Sequence, residues 1–227
     1  MKASKKGVYF SYTQTTRRIL PIVCATALAT AFMASLPQPV HADDVPPTPI
    51  PIPPEIQVSE GNQVFLVGHG VGTQNYVCRP SYTGVAYILF TPQATLFNGA
   101  DKQVTTHYFS PNISTNPSDP PDPNTDQKVV ADGAIRATWQ HKDTSIVWGK
   151  GSGSVVVDPT AIPWLRVTRV GAQDGPTCGN TLTATTFIQR LNTINGVAPL
   201  EGCASLADVG NQAFVPYEAD YVFYRAE

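Results

Sequence analysis

Histidine is the side chain best suited to acid–base or metal chemistry, and three histidines, His69, His107 and His141, follow residue 42. Imidazole transfers protons near neutral pH and binds metal ions. Each of the three falls in a different predicted strand, and no two lie at i, i+2 on one strand, as metal sites in cupin-like barrels usually show. The sequence therefore favours structural or surface imidazoles, and we expect no bound metal and no cofactor.

One constellation of polar side chains could form a ligand site. The candidate ligand-binding residues are His107, Trp139, Gln140, Asp143 and Arg190. His107 and Trp139 flank a long polar insertion, so the strands that carry them are expected to be neighbours in a sheet. Imidazole, amide, carboxylate and guanidinium groups beside an aromatic face would suit recognition of a polar ligand. The alternative is that His107 makes a structural hydrogen bond and that Arg190 pairs with a carboxylate such as Asp220.

Two glycine-rich segments imitate nucleotide-binding loops. Residues 64–72, VFLVGHGVG, run from an apolar strand into glycines, but the spacing is G-x-G-x-G and no helix follows to receive a pyrophosphate. Residues 149–154, GKGSGS, lack the spacing of a phosphate-binding loop. We therefore predict a bend or bulge in a strand at the first segment and a flexible turn at the second.

Other catalytic patterns are absent or ambiguous. The sequence has no G-x-S-x-G nucleophile elbow. Several aspartates could pair for glycoside hydrolysis, but nothing in the sequence selects a pair. Flat aromatic rings could stack on sugars or belong to a core, and the rings available are Trp139, Trp148, Trp164, Tyr217, Tyr221 and Tyr224.

The first 42 residues predict export. A basic beginning precedes an apolar run over residues 19–36, and Val40-His41-Ala42 has the form of a signal-peptide cleavage site, which places the mature N-terminus at Asp43. An uncleaved membrane anchor is the alternative, although the run is barely long enough to span a bilayer. Residues 43–56 are rich in proline and predict a stiff extended linker. A β domain is predicted over residues 57–227.

Charge excludes two classes of partner. Residues 43–227 carry ten of the fifteen basic residues and all seventeen acidic ones, a net charge of −7. Nucleic-acid binding needs clustered positive charge, and anionic lipid needs a polybasic face. We therefore expect no nucleic-acid partner and no stable membrane insertion after cleavage. A small polar molecule or a carbohydrate remains as a partner, and the sequence does not set the oligomeric state.

Short strands separated by Pro and Gly predict an all-β single domain, a sandwich or a barrel, with little helix. The predicted strands are residues 62–71, 85–90, 94–97, 103–109, 138–140, 145–148, 154–157, 164–170, 182–191 and 217–224. A helical turn is predicted at 204–210. Residues 110–128, which have almost no apolar side chains, predict a mobile, dispensable insertion.

Three cysteines follow residue 42: Cys78, Cys178 and Cys203. In an exported protein two of them are expected to form a disulfide and leave one thiol. The sequence alone allows three pairings.

Motifs along the chain resemble an exported family catalogued as domain of unknown function 3455. They are YVC at 76–78, PQATLF at 92–97, THYF at 106–109, TWQH at 138–141, DTS at 143–145, AIPWL at 161–165, FIQRLNT at 187–193, GVAP at 196–199 and VPYEADYVFY at 215–224. The resemblance implies export and one mainly β domain, without an activity. Cys78 and Cys203 lie in the family-like segments and Cys178 outside them, so the resemblance implies a Cys78–Cys203 disulfide and a free Cys178.

These observations predict an exported, periplasmic or extracellular protein with a non-catalytic role in ligand or carbohydrate binding. Two alternatives remain open. One is a hydrolase or metal-dependent enzyme that uses His107 and nearby polar residues. The other is a structural or stress-protective secreted protein.

Overall fold

The structure is a computed structural model that describes residues 51–114 and 134–227. The predicted signal peptide, its cleavage before Asp43 and most of the proline-rich linker lie outside the described residues, so they stay predictions. Within the described ranges, no helix has the length and hydropathy that a membrane-spanning helix requires.

Eight antiparallel strands close into a barrel in which each strand pairs with the next and β8 pairs with β1. The strands are β1 (Asn62–Ser81), β2 (Gly84–Phe97), β3 (Gln103–Pro111), β4 (Ile135–His141), β5 (Ile146–Val155), β6 (Trp164–Gln173), β7 (Thr185–Asn195) and β8 (Gln212–Ala226). The only other regular elements among the described residues are 3-10 turns at Pro54–Ile56 and Leu206–Asp208. The all-β prediction is confirmed, and of the two predicted architectures, sandwich and barrel, the structure is the barrel.

Along the strands, residues that face the barrel interior alternate with residues that face outward. On β8, the buried side chains Tyr217, Ala219, Tyr221 and Phe223 alternate with outward-facing ones. They pack with Leu96, Val104, Trp139, Val147, Val167 and Ile188 into the main core. Burial of this apolar area is the main source of the barrel's stability.

The glycines of β1 occupy inward positions because neighbouring side chains fill the space where a Cβ would stand. A Cβ on Gly68 would lie 2.9 Å from the Cβ of Leu96, and one on Gly70 would lie 2.8 Å from the Tyr221 ring. At Gly72 it would collide with the backbone of β2. The β1 bulges lie on either side of these glycines, between Val64 and Leu66, which is within the predicted segment 64–72, and between Asn75 and Tyr76. The glycine motif thus serves close packing inside the barrel.

The second glycine-rich segment is strand as well, so the prediction of a flexible turn at 149–154 is wrong. β5 runs through it with irregular pairing to β6. A Cβ on Gly149 would collide with Val167, and one on Gly153 would collide with the backbone oxygen of Glu55. These glycines lie where a neighbouring chain approaches closely, a recognised reason for glycine in a strand.

The described end of the proline-rich segment packs on the outside of the barrel instead of standing free. Ile56 is fully buried in an outer cluster with Trp164, Leu191 and Val222. The Gln189 side chain donates a 2.7 Å hydrogen bond to the Ile56 carbonyl. The last residues of the linker therefore pack against the barrel, because the apolar side chain of Ile56 is buried there.

The first residues of the predicted insertion also belong to the barrel. β3 extends to Pro111, and Asn112 and Ser114 are fully buried. Asn112 Nδ2 donates to the Val170 carbonyl at 3.3 Å, and Ser114 Oγ donates to the Ala172 carbonyl at 2.8 Å. Any dispensable loop therefore begins after Ser114. The rest of the predicted insertion, residues 115–128, lies outside the described residues.

The predicted disulfide between Cys78 and Cys203 is confirmed, with Cα atoms 5.5 Å apart. It joins β1 to the segment that precedes β8. The prediction of a free Cys178 is wrong, because Cys178 is disulfide-bonded too.

Candidate functional site

A cavity of about 380 Å³ lies inside the barrel. Its walls are mainly apolar and include Phe109, Ala137, Ile162, Leu165, Val167 and Ile188. The polar and aromatic side chains on the same walls include Gln74, Tyr76, His107, Trp139, Arg190 and Tyr221. Leu89 and Ile135, which are partly exposed, complete the lining at one end, so the cavity reaches the surface there.

Three of the five predicted ligand-binding residues line this cavity: His107, Trp139 and Arg190. His107 on β3 is the register partner of Trp139 on β4, as expected from their positions on either side of the insertion. Arg190 on β7 is the register partner of Tyr221 on β8 and of Leu165 on β6. The barrel thus brings together side chains from separate parts of the chain.

The His107 imidazole is held rigidly against the Trp139 indole. The two rings are stacked, with centroids 4.3 Å apart and an interplanar angle of 8°. His107 Nδ1 lies 2.9 Å from the Thr138 carbonyl. Since a carbonyl only accepts, Nδ1 carries the proton, and the neutral ring presents Nε2 as an acceptor.

Burial is the main cause that lowers the pKa of His107 to about 3; the hydrogen bond to Thr138 opposes this and the nearby Arg190 guanidinium adds to it. His107 is therefore neutral at physiological pH. An imidazole with so low a pKa is a weak proton acceptor, which makes it poorly matched to general base catalysis near pH 7.

Arg190 provides a fixed positive charge in the cavity. Its Nε and Nη2 donate to the Pro163 carbonyl at 3.2 and 2.8 Å. Burial raises the pKa of the Tyr221 hydroxyl and the nearby Arg190 charge opposes this rise. The Tyr221 hydroxyl lies 2.9 Å from the Tyr217 hydroxyl. The expected alternative partner, Asp220, faces outward and contacts His69 and Asn192 instead.

Two buried donors of this lining have no hydrogen-bond partner among the described residues. They are Gln74 Nε2 and Trp139 Nε1, on side chains that are each 1% exposed. A buried polar atom without a partner is costly, and buried polar groups normally have one. These two donors therefore suggest that a further molecule completes the hydrogen bonding inside the barrel.

The other two predicted residues lie outside the cavity. Gln140 follows Trp139 by one position and so faces the outer surface, where its Oε1 accepts from the Tyr108 hydroxyl at 3.2 Å. Asp143 lies in the turn between β4 and β5 and accepts hydrogen bonds from Ser145 and Thr181. Burial raises the pKa of Asp143, but these hydrogen bonds outweigh it and hold the pKa below its ordinary range. Asp143 thus ties two loops together.

The sequence analysis missed Gln74, Tyr76 and Tyr221 as cavity residues. Counting in steps of two from the β1 glycines places Gln74 on the same inward face as Gly68, Gly70 and Gly72. Tyr221 was recognised only as an aromatic ring for stacking. The alternation of inward and outward residues along a strand places both Gln74 and Tyr221 on an inward face. That placement can be recognised only once the sheet is known to close into a barrel.

The remaining histidines are separate from the cavity. On the outer surface, His69 Nδ1 lies 2.6 Å from Asp220 Oδ1. His141 Nδ1 lies 3.0 Å from Asp143 Oδ1. The described residues contain no group of three or more His, Cys, Asp or Glu side chains that could hold a metal ion.

The buried neutral His107 should make the barrel sensitive to mild acid. Its pKa is about 3 when folded against an ordinary 6.5, so between these values the unfolded chain binds more protons and stability falls as pH falls. Between pH 7 and 4.5 the loss should be about 2–3 kcal/mol, since each pKa unit corresponds to about 1.4 kcal/mol.

Urea unfolding of the wild type and His107→Asn at both pH values measures this loss. Asparagine keeps a donor for Thr138 but does not titrate. Between pH 7 and 4.5 the free energy of unfolding of the variant should therefore fall by about 2–3 kcal/mol less than that of the wild type. The lowered pKa of Asp143 makes stability depend on pH only below about pH 3.8, its ordinary pKa, which is outside this interval. Equal pH dependence of the two proteins would contradict the prediction.

A closed eight-stranded barrel with a mainly apolar interior cavity defines a class of proteins that can enclose one small molecule. Residues 59–225 match the family model described as "Protein of unknown function (DUF3455)", and the chain belongs to that family. No curated protein and no solved structure matches the chain.

Proposed function

We propose that this protein is an exported, non-catalytic binding protein that holds a small organic molecule inside its barrel. The observation that carries the proposal is the apolar-walled interior cavity with two buried donors, Gln74 Nε2 and Trp139 Nε1, that lack partners. Such a combination of apolar walls and a few convergent polar groups is typical of small-molecule sites.

The size of the cavity supports a compact ligand. An apolar cavity of roughly 150 Å³ can hold benzene, and the cavity here is about 380 Å³. Barrels of eight strands have an interior just wide enough for packed side chains or for one small ligand. We therefore infer a ligand with one or two rings, enclosed by the barrel walls.

The lining favours binding over catalysis. Among the described lining residues there is no Ser, Cys, Asp or Glu to serve as a nucleophile or a carboxylate acid–base group. His107 has its pKa lowered to about 3 by burial. The enzyme alternative that uses His107 would therefore rely on a poorly basic imidazole.

A glycan site on the outer surface has less support. Trp139, Trp148 and Trp164 are each at most 5% exposed, so they present no flat ring to a sugar at the surface. Export itself is supported by the Cys78–Cys203 disulfide, since disulfides persist mainly in oxidising compartments.

Ligand-observed NMR with a library of small aromatic compounds tests the proposal. Several compounds should bind the wild-type protein in competition with one another. Ala137 faces the cavity between β3 and β5, so Ala137→Phe should fill it and abolish this binding.

Thermal unfolding must first show that Ala137→Phe remains folded. Ile113→Phe is a matched control, because Ile113 is 60% exposed and does not line the cavity; this variant should bind as the wild type does. Failure of every compound, or equal binding by folded Ala137→Phe, would reject the barrel interior as the site.

A further inference from the structure

We infer that the ligand is an apolar organic acid whose carboxylate binds the Arg190 guanidinium. This inference rests on the proposed function and names the ligand class for the same cavity. It follows from the charge of the walls, the positions of the donors and the apolar character of the remaining surface.

The charge of the cavity is opposite to that of the protein. Residues 43–227 have a net charge of −7, yet the described lining contains the basic residues Arg136, Lys150 and Arg190 and no acidic residue. Arg190 is the innermost of the three by its contacts, since its charge acts on His107, Tyr217 and Tyr221 in the barrel core.

No carboxylate of the described residues pairs with Arg190. Its hydrogen bonds go to the Pro163 carbonyl, which is neutral. A guanidinium in a low-dielectric interior is stabilised most by an anion, and the planar fork of arginine matches a carboxylate. An anionic ligand would therefore supply the missing counter-charge.

The other polar groups of the lining are suited to an oxygen-rich head group. Gln74 Nε2 and Trp139 Nε1 are donors without partners. A carboxylate offers about four lone-pair sites, enough to accept from Arg190 and from a second donor. Neutral His107 presents Nε2 as an acceptor, which would suit a hydroxyl on the ligand.

The rest of the wall is apolar. Phe109, Ile162, Leu165, Val167 and Ile188 surround the cavity, and they would bury the ring of an aromatic acid. A sugar or a highly polar metabolite would leave its hydroxyl groups against these side chains without partners, at a cost for each group.

Isothermal titration with cinnamate and cinnamamide tests the inference, because the two probes share a ring and differ in charge. Wild type should bind cinnamate about tenfold more tightly than cinnamamide, as a charge-assisted pair predicts. Arg190→Gln should bring the ratio of the two affinities to about one, because the charge that favours cinnamate is gone. Arg190→Lys should retain part of the preference.

Arg79→Gln is the matched control, since Arg79 is exposed on β1 and does not line the cavity; it should keep the wild-type preference. Equal affinities of the wild type for both probes would overturn the carboxylate inference while leaving a barrel binding site in place. If neither probe binds but neutral library compounds do, the inference also fails. If nothing binds at all, the proposed function itself fails.

Discussion

Replacing Gly72 by alanine should destabilise the barrel by about 3 kcal/mol or more, at the upper end of the cost of overpacking a core. A Cβ at this position would collide with the Gln93 carbonyl and lie 2.6 Å from the Ala94 Cα. Both groups are backbone atoms of the neighbouring strand, so no side-chain rotation relieves the clash. The β1–β2 pair would have to move apart where Gly72 and Ala94 are in register.

Urea unfolding monitored by circular dichroism measures this effect. The matched control is Gly151→Ala on β5, since a Cβ there meets no atom within 4 Å and Gly151 has no positive φ. The control should change stability by about 1 kcal/mol or less, because alanine fits a strand at least as well as glycine does. If Gly72→Ala were as stable as Gly151→Ala, close packing would not be the reason for glycine on β1.

The fold class could be predicted because it depends on local patterns. β-branched and aromatic runs between Pro and Gly mark the strands, and most observed strands contain a predicted one. Closure could not be predicted, because it depends on pairing between Asn62–Ser81 and Gln212–Ala226, which are far apart in sequence. The crowding around the β1 glycines could not be predicted either, because it results from the same β1–β8 pairing that closes the barrel.

The site was predictable only where its residues are neighbours along a hairpin. The insertion suggested that the strands of His107 and Trp139 are adjacent, and they pair directly. Gln140 was grouped with Trp139 by sequence proximity, although successive strand residues face opposite sides of a sheet. Arg190 lies inward because it alternates with outward Gln189 and Leu191, an arrangement that its charge alone would argue against.

Removing the Cys78–Cys203 disulfide should destabilise the protein by about 2–5 kcal/mol, the usual range for a native disulfide of an exported domain. The bond joins residues 125 positions apart, and in the chain-entropy model a loop of this length contributes near the top of that range. Apolar packing contributes little to holding the segment before β8, since Leu200 and Leu206 are largely exposed.

Cys78→Ala/Cys203→Ala tests this bond without leaving a free thiol at either position. Its free energy of unfolding should fall by the stated amount relative to the wild type in urea titrations. Tyr87→Phe is the matched control, because the Tyr87 hydroxyl donates to the Gly202 carbonyl at 3.1 Å and its loss should cost only about 1 kcal/mol. The double variant retains the β1–β8 pairing and the hydrogen bonds between Cys78 and residues 210–211. A loss below that of the control would mean that these backbone contacts alone fix the segment, and that the disulfide adds little to the stability of the barrel.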